Sequence, residues 1–526
     1  AMNIQISKVF ILLLFMCVFL ECKAQERKQC SILPTPVVYK RVKGNLYLPR
    51  EISVRKEAWP KSTLNQLESI LNSSLSVKIK DTTGKPFIRL RKLKNVRKDF
   101  YSIAISDYIF ISYSDDNALY YAMQSLVQLI KVEDEIKYIP KAFLQDYPKF
   151  DWRGLHLDVS RHFFSVEEIK KYLDLMAIYK MNTFHWHLTD DQGWRIEIKA
   201  YPELTKTGAF RDSTLIGHYT EKPRRYDKNR YGGFYTQEEV IEIVSYAEER
   251  YIDVVPEIEM PGHSRAALAA YPEFSCSGIQ QKVPGIWGIF EDIYCSKEES
   301  FQFLTGILDE VVNLFPGKYI HIGGDEAPKS KWKGCTKCQN VIQKNGLANE
   351  RELQSYFITR IEKFLNEKGK MLIGWDEILE GGLSPNAAVM SWRGFKGGIT
   401  AAKKGHYVVM TPGAHCYFDH YQGKSNEEPL AIGGYTPLQK VYEFNPVPHE
   451  LNAAEASYIL GGQANLWTEY IHNYEQLEYM AYPRAIALSQ ALWCNKKPEY
   501  DDFCKILYDS PVSYTHLRAH ETGSYL

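Results

Sequence analysis

The sequence reads LHLDV at residues 155–159, SVEE at 165–168 and TFHWHL at 183–188. The first and last segments are short and largely apolar, which is typical of buried strands. SVEE is a capping box, in which serine and glutamate satisfy the first backbone N–H groups of a helix, and a periodic apolar face follows it. The order strand, helix, strand predicts a unit with two parallel strands.

The same alternation continues beyond this unit. Further short apolar segments are predicted as strands at residues 252–258, 319–323, 371–375, 388–392, 407–410 and 459–467. Helical patterns separate several of them, and a second capping box, TQEE, occupies residues 236–239. Eight strands with intervening helices over about 350 residues predict a (β/α)8 TIM barrel, an α/β fold, across residues 148–508. In that fold the residues that follow each strand gather at one rim.

The region before the barrel, residues 25–147, has a different pattern. Strand-like segments at 45–48, 87–90, 101–105 and 108–111 precede a helical stretch at 116–132. A few strands with a covering helix predict a small α+β domain.

The first 24 residues are predicted to be a signal peptide. Lys8 precedes an apolar run at 9–20 that is too short to cross a bilayer comfortably, and Cys22 and Ala24 provide the small residues of a cleavage site. We therefore expect export to the periplasm or the extracellular space. Acylation of Cys22, as in a lipoprotein, is the alternative, although Glu21 stands where a small residue is expected. No later segment is long and apolar enough to be predicted as transmembrane.

The last residues do not fit the barrel pattern. Residues 501–508 are predicted as the start of the last barrel helix, which the following residues interrupt. Residues 509–526 lack an apolar period, and SYTHLRAHET at 513–522 resembles translated adapter sequence. We predict that this tail, like Ala1 before Met2, is not native.

The amino-acid composition limits the classes of binding partner that are expected. Lysine plus arginine and aspartate plus glutamate both number 64, so the formal net charge is zero and nothing favours nucleic acid as a partner. A neutral substrate and no cofactor are expected. The 36 tyrosines and 10 tryptophans suit the C–H faces of sugars, although they also fill ordinary cores.

Ten cysteines are present, two of them in the predicted signal peptide. Cys276 and Cys295 flank a loop, and Cys335 and Cys338 form a C-x-x-C pair. Because no second pair lies at the spacing of a zinc site, no metal site is predicted. Export instead predicts one disulfide within each pair, with reduced thiols as the alternative.

The strongest chemical signal is HIGGDE at residues 321–326, at the end of the fourth predicted strand. The glycines end the strand, so the side chains of Asp325 and Glu326 can both turn toward the rim. Repulsion between adjacent carboxylates raises one pKa, which leaves one group as an acid while the other is an anion. Glycoside cleavage needs this division. For the dipeptide alone, an acidic helix N-terminus is the alternative.

Other strand ends carry acids, an arginine and tryptophans. These residues are Asp158, Ser160, Arg161, Asp190, Asp191, Glu259, His263, Trp375, Asp376, Trp392, Tyr417, Asp419, Trp467 and Glu469. Core packing explains apolar strand bodies, but it does not explain charged groups and three tryptophans at strand ends. The pattern predicts a deep pocket with aromatic walls and polar clamps.

These motifs resemble the signatures of family 20 β-N-acetylhexosaminidases. The resemblance rests on HIGGDE, FHWHLTDD at 184–191, PGH at 261–263, DVSR at 158–161 and WTE at 467–469. It runs from about residue 32 to residue 508 and includes the first domain, so it covers most of the mature chain. It implies a retaining exo-glycosidase that removes terminal β-linked GlcNAc or GalNAc from oligosaccharides or glycoconjugates.

The resemblance also implies a role for each site residue. Glu326 would be the general acid and then the base, while Asp325 would orient the substrate's own 2-acetamido group, which closes onto the anomeric carbon as an oxazolinium. Tyr417 would hold the acetamido carbonyl, and His263 would support the acid. The remaining residues would bind the sugar, with Trp375, Trp392 and Trp467 around the acetamido methyl and Arg161, Asp191, Asp419 and Glu469 at the hydroxyls.

One position departs from the family pattern, because Glu259 stands four residues before His263 where the family has aspartate. Release of a disaccharide, as in lacto-N-biosidases, stays open beside release of one sugar.

Two other classes of protein remain as alternatives. A metal-dependent hydrolase would use imidazoles on the barrel strands, namely His156, His185, His187 and His321. A non-catalytic sugar-binding protein would need the pocket but no acid.

Overall fold

The computed structural model describes residues 30–509. The predicted signal peptide at 1–24, the alternative acylation site Cys22 and the predicted tail beyond Asp509 lie outside the described residues. Within residues 30–509, no helix is both long enough and apolar enough to cross a membrane.

The first domain is a sheet covered by helices. Its strands are β1 (Val38–Tyr47), β2 (Glu51–Val54), β3 (Lys78–Asp81), β4 (Ile88–Lys92), β5 (Tyr101–Ile105), β6 (Ile109–Tyr113), β7 (Lys131–Glu133) and β8 (Ile136–Asp146). Six of them form one sheet in the order β1-β8-β5-β6-β4, with β7 on β8, while β2 pairs with β3. Helix α1 (Lys61–Leu75) packs on α2 (Asp116–Gln128), which lies on β5 and β6. The predicted α+β domain is confirmed.

Helix α2 is shorter than the sequence predicts. Its N-terminus is capped by Asp115, whose carboxylate accepts a hydrogen bond from the backbone N–H of Ala118. The helix ends at Gln128 rather than at residue 132, because Lys131–Glu133 pairs with β8 as strand β7. Ile130 and Val132 fit a strand as well as a helical face, so periodicity does not separate the two.

The second domain contains a closed barrel. Its strands follow in chain order as β9 (Trp152–Asp158), β10 (Thr183–His187), β11 (Thr189–Asp190), β12 (Gly193–Trp194), β13 (Phe210–Arg211), β14 (Leu215–Ile216), β15 (Arg225–Tyr226), β16 (Tyr231–Gly232), β17 (Asp253–Glu257), β18 (Tyr319–His321), β19 (Met371–Trp375), β20 (Ala388–Ser391), β21 (Val408–Met410) and β22 (Ile459–Ala464). The barrel order is β10-β17-β18-β19-β20-β21-β22-β9, and the strands from β11 to β16 pair as two-stranded sheets. Each predicted barrel segment overlaps one barrel strand, so the TIM barrel is confirmed.

Two barrel helices begin where the sequence predicts. In α3 (Val166–Ile178) and α5 (Gln237–Glu248), both capping boxes form, at Ser165 and Thr236 respectively. The other helices are α4 (Glu203–Lys206), α6 (Arg265–Ala270), α7 (Glu298–Leu314), α8 (Ser330–Gly334), α9 (Thr336–Lys344), α10 (Glu350–Glu367), α11 (Lys396–Lys403), α12 (Gly413–Cys416), α13 (Leu438–Glu443), α14 (Ala453–Ala456), α15 (Tyr474–Ala481), α16 (Arg484–Trp493) and α17 (Tyr500–Asp509). Short 3-10 helices lie at Lys56–Ala58, Pro272–Phe274 and Asp376–Leu379.

The helix that closes the barrel is α16, not the helix predicted at 501–508. Helix α16 follows β22 and packs on both β22 and β9, and all of its residues are buried. A helix buried on every side lacks the amphipathic period by which a barrel helix is recognised in a sequence. Helix α17 packs further out, with the ring of Phe503 4.5 Å from that of Tyr442. The prediction that the last barrel helix is interrupted is therefore wrong.

The predicted disulfides are also wrong. All eight cysteines of residues 30–509 are free thiols, and Cys276, Cys295, Cys335 and Cys338 form a single cluster. The spacing rule compares cysteines that are close in the chain, whereas here the connections after β17 and β18 bring distant cysteines together.

Candidate active site

The carboxyl ends of the barrel strands surround a cavity of about 220 Å³. All predicted site residues except Asp191 line it. Its walls are Arg161, Asp190, Glu259, His263, Asp325, Glu326, Trp375, Trp392, Tyr417, Asp419, His420, Ile432, Trp467 and Glu469. Strand ends from around the whole barrel therefore contribute to one pocket, as the fold predicts.

The acidic pair owes its position to the turn that ends β18. Gly323 and Gly324 have φ angles of +66° and +89°, which glycine adopts at little cost. Glu326 itself has a φ of +43°, an uncommon conformation for a residue with a side chain. Strained backbone of this kind concentrates at functional sites, because surrounding structure must hold it. The turn places both carboxyl groups on the wall of the cavity.

His263 bridges two pairs of acids. Its Nδ1 lies 3.2 Å from Asp190 Oδ1 and 3.1 Å from Asp191 Oδ2. Its Nε2 lies 3.7 Å from Asp325 Oδ2 and 3.5 Å from Glu326 Oε2. Although burial opposes the charged form, the carboxylates, Asp190 first, hold the pKa of His263 well above its usual value. The imidazole is therefore a cation that links the acidic pair Asp325 and Glu326 to Asp190 and Asp191.

Asp325 and Glu326 sit in different environments. The side chain of Asp325 is 12% exposed and that of Glu326 is 34% exposed. Burial, with Glu257 and Glu326 adding to it, raises the pKa of Asp325 to about 7. The two neighbouring acids therefore differ in their exposure to water.

Aromatic rings form one side of the cavity and are held by hydrogen bonds. The indole N–H of Trp375 donates to Glu257 Oε1 at 2.7 Å, and that of Trp392 donates to Glu377 Oε2 at 2.9 Å. Tyr417 stacks on Trp392 with ring centroids 6.0 Å apart, and the ring of Trp467 lies 5.9 Å from that of Trp375. The result is an apolar slot next to the acidic pair.

Charged groups form a further part of the cavity wall. Arg161 pairs with Asp190 at 2.7 Å and with Asp158 at 3.2 Å, and its Nη1 lies 3.9 Å from Glu469. Asp419 Oδ1 is buried and has no hydrogen-bond partner within residues 30–509. Burial, followed by the charge of Glu469, raises the pKa of Asp419 well above its usual value. Unpartnered buried acceptors beside a cation suit the hydroxyl groups of a sugar.

Asp191 does not reach the cavity, contrary to the prediction that it binds sugar hydroxyls. It lies behind His263 and accepts a hydrogen bond from the backbone N–H of Arg265 at 2.9 Å. Asp190, a strand-end residue to which the family resemblance gives no role, lines the cavity instead. The adjacency of the two aspartates hid this, because neighbouring residues point in different directions and only the fold shows which one faces inward.

The barrel histidines surround Glu257 below the cavity. His187 donates to Glu257 Oε2 at 2.5 Å, and His185 Nε2 lies 3.1 Å from the same oxygen. Although burial opposes ionisation, the histidines, His321 first, hold the pKa of Glu257 well below its usual value. These residues have the side chains to hold a metal ion. The Glu257 carboxylate is an ionic partner for the barrel histidines, so they do not require a metal ion. None of these residues lines the cavity.

Glu259, the residue that departs from the family pattern, is buried in the cavity wall. Neither of its carboxyl oxygens has a hydrogen-bond partner among the described residues. Burial, and then the charge of Asp325, raises its pKa well above its usual value, so Glu259 is a neutral acid. A Cβ atom on Gly323 would lie only 1.8 Å from Glu259 Oε2, so the longer side chain fills space that the glycine leaves open.

A (β/α)8 barrel whose rim combines a carboxyl pair, an aromatic slot and charged clamps belongs to the glycoside hydrolase class. The profile for "Glycosyl hydrolase family 20, catalytic domain" matches residues 150–496, and the profile for "Glycosyl hydrolase family 20, domain 2" matches residues 29–147. The chain belongs to glycosyl hydrolase family 20, which confirms the resemblance seen in its motifs.

Known proteins similar to the chain include enzymes and solved structures. The chain is 52% identical over 403 residues to a beta-hexosaminidase of Porphyromonas gingivalis, covering 75% of this chain and 50% of that protein. It is 35% identical over 487 residues to a beta-hexosaminidase of Vibrio furnissii, covering 89% and 77% respectively. The crystal structure of a beta-N-acetylhexosaminidase from Bacteroides fragilis superposes with a TM-score of 0.80 at 31% identity, covering 94% of this chain and 99% of that one. The chain thus spans half the length of its P. gingivalis relative.

Proposed function

We propose that this protein is an exo-acting β-N-acetylhexosaminidase that releases terminal β-linked GlcNAc or GalNAc with retention of configuration. The observation that carries the proposal is the acidic pair Asp325 and Glu326, bridged by His263 and facing the aromatic slot. Family membership and the names of the relatives support the same activity.

The first half of the reaction uses both acids. Glu326, the more exposed group, donates a proton to the glycosidic oxygen as its bond to the anomeric carbon breaks. The carbonyl oxygen of the 2-acetamido group forms the new bond to that carbon. The Asp325 carboxylate accepts a hydrogen bond from the amide N–H of this group. That bond stabilises the positive charge that develops as the ring closes to an oxazolinium. Tyr417 lies where its hydroxyl can hold the same acetamido group against Trp392.

The second half reverses these roles. The Glu326 carboxylate takes a proton from water, which attacks the anomeric carbon, and the ring opens to restore the acetamide. Two inversions at the same carbon give overall retention. His263, charged and between both acids, steadies whichever of them is ionised at each step.

The size of the cavity favours release of one sugar over release of a disaccharide. Pockets for drug-sized ligands span roughly 300–1,000 Å³, whereas this cavity measures about 220 Å³. Arg161 and its partners Asp190 and Glu469 form part of the wall of this cavity. One N-acetylhexosamine ring fills such a space, and its 2-acetamido methyl fits the slot between Trp375 and Trp467.

The test is hydrolysis of p-nitrophenyl β-GlcNAc and β-GalNAc by the wild type, Asp325→Asn and Glu326→Gln. We expect turnover by the wild type and a fall in kcat of about 10²–10⁴-fold in each variant, because each loses a group that acts on the reacting atoms. A thiazoline mimic of the cyclised intermediate should inhibit the wild type. Glu238→Gln, on an exposed helical surface, is the matched control and should behave as the wild type.

Three outcomes of this test contradict the proposal. A wild type that binds the glycosides without turnover is a sugar-binding protein. If Asp325→Asn and the wild type have equal rates, Asp325 does not assist an attack by the acetamido group. Release of lacto-N-biose rather than a single sugar from an oligosaccharide, followed by mass spectrometry, assigns the disaccharide reaction instead.

We further propose that the enzyme is exported and acts on glycans outside the cytoplasm. The short apolar run at residues 9–20 after Lys8, with a small-residue cleavage site, supports this location. Fractionation of the native host, followed by N-terminal sequencing, should find the mature chain in the periplasm or medium and beginning near Gln25. Recovery with the cytoplasmic fraction, with the first residues intact, would contradict export.

A further inference from the structure

Four cysteines from three separate segments meet in the connections that follow β17 and β18. Cys276 follows the 3-10 helix Pro272–Phe274, Cys295 precedes α7, and Cys335 and Cys338 lie at the start of α9. The Sγ atoms of all four lie within 4.8 Å of one another. Cys295, Cys335 and Cys338 are buried, and Cys276 is half-buried. None of them lines the cavity of the candidate active site.

The spacing of the sulfur atoms matches tetrahedral coordination. Cys338 Sγ lies 3.7 Å from Cys276 Sγ and 3.6 Å from Cys295 Sγ, and Cys295 Sγ lies 3.9 Å from Cys335 Sγ. A disulfide would need about 2.05 Å between two sulfurs. Four thiolates around zinc, each about 2.3 Å from the metal, have sulfurs about 3.8 Å apart. The observed separations agree with the second arrangement.

The surroundings of the cluster favour thiolates. Cys335 is the residue before the first turn of α9 and Cys338 lies within that turn, where the helix dipole stabilises negative charge. Lys333 and Lys337 are neighbours of these cysteines in the chain, and both are exposed.

We propose that Cys276, Cys295, Cys335 and Cys338 bind one structural zinc ion, with each thiol losing its proton on binding. Soft sulfur ligands in tetrahedral geometry select zinc over harder divalent cations, and a site with four protein ligands has no open position for catalysis. This departs from the prediction that the chain holds no metal.

The zinc ion joins the two connections that carry the catalytic groups. His263 lies in the connection after β17, and Asp325 and Glu326 lie in the connection after β18. These connections already touch, because a Cβ on Gly262 would lie 3.0 Å from the backbone oxygen of Asp325. Trp332, fully buried, also links them through an indole N–H that donates to the Tyr294 backbone oxygen at 2.8 Å. Coordination therefore keeps His263 in register with the acidic pair.

The first experiment measures metal and thiols in the unchanged protein. The full chain, with its own N-terminal segment, is purified without a metal-affinity step and analysed by inductively coupled plasma mass spectrometry. We expect about one zinc ion per chain. The four cysteines should resist alkylation in the native protein and react fully, with no reductant present, after denaturation with a chelator.

The second experiment compares cysteine variants. Cys276→Ser and Cys338→Ser should lose most of the zinc, whereas Cys504→Ser, which changes a cysteine of α17 outside the cluster, should keep it. Replacement of the zinc by Co²⁺ should give the intense visible spectrum of a tetrahedral cobalt thiolate in the wild type and in Cys504→Ser.

Other results overturn the proposal. The proposal is wrong if peptide mapping of the purified wild type finds any of the four cysteines in a disulfide. It is also wrong if the protein contains iron in place of zinc. Four free thiols with no stoichiometric metal would also contradict the proposal. These measurements on the wild type decide the question even if the serine variants do not fold, and none of them depends on glycosidase activity.

Discussion

Asp325 is a buried carboxyl group whose proton is held by its surroundings. Burial raises its pKa from 3.8 to about 7, so the carboxyl binds its proton more tightly in the native state than in the unfolded chain. Its contribution to stability is therefore complete below about pH 4 and is lost as the pH rises through about 7. An active site that needs the anion gives up stability to have it.

The variant Asp325→Asn tests whether ionisation of Asp325 lowers the stability of the protein. The amide carries no charge at any pH, so we expect the variant to melt at least about 2 °C above the wild type at pH 8.5 and by a clearly smaller margin at pH 5, where most of the loss has yet to occur. Differential scanning calorimetry at both pH values gives the comparison. Glu238→Gln, an exposed carboxylate, should show no such divergence. A variant that is less stable than the wild type at pH 8.5 contradicts a raised pKa.

At the scale of single elements, the turn after β18 decides where the acids point. Gly324 has a φ of +89°, and a Cβ there would lie 2.7 Å from Ile378 Cγ2. The neighbouring strand approaches as closely, because a Cβ on Gly374 would lie 2.9 Å from the Gly323 backbone oxygen. The strand end therefore accepts no side chain at Gly324 without moving Asp325.

Gly324→Ala should harm both stability and activity. Strain from the positive φ and from the contact with Ile378 should lower the free energy of unfolding by about 1–3 kcal/mol. The displaced acidic pair should lower kcat/KM by about tenfold or more. Denaturant unfolding and steady-state kinetics measure the two effects.

Gly346→Ala is the matched control, because Gly346 has a φ of +64°, a Cβ added there would meet no atom within 4 Å, and the residue lies away from the cavity. It should lose some stability and keep kcat/KM. Equal kinetic losses in both variants would show that the Gly324 turn does not position the acids.

At the scale of the whole molecule, a buried ion pair joins the two domains. Lys180 of the barrel lies 3.1 Å from Asp146 at the end of β8, and both side chains are fully buried. Lys180 also donates to the Tyr101 hydroxyl at 2.8 Å, and the indole N–H of Trp493 donates to Asp146 at 3.0 Å. The first domain, the barrel and its closing helix therefore share one network, which orients the first domain on the barrel.

Lys180→Met should destabilise the protein by about 3–5 kcal/mol, because it leaves the Asp146 carboxylate buried without its cation. The double variant Lys180→Met with Asp146→Asn removes both charges while keeping an acceptor for Trp493, so it should recover part of that loss. Thermal unfolding of the two single variants and the double variant measures the coupling. Additive losses would show that the two charges do not act as a pair.

The eight barrel strands, the α+β character of the first domain and nearly all residues of the cavity could be predicted from the sequence. Local properties carry this information: apolar runs bury, capping boxes begin helices, and polar residues after parallel strands meet at one rim. The motif HIGGDE carries information about both the fold and the site, since its glycines end a strand and its acids supply the chemistry.

Only the tertiary structure decided which member of each close pair faces the cavity and which distant groups meet. Asp190 rather than Asp191 lines the pocket, α16 rather than residues 501–508 closes the barrel, and Cys276 and Cys295 join Cys335 and Cys338 in one cluster. Each of these depends on contacts between segments far apart in the chain. Periodicity and spacing describe neighbours along the chain, whereas packing and charge decide what lies beside what in space.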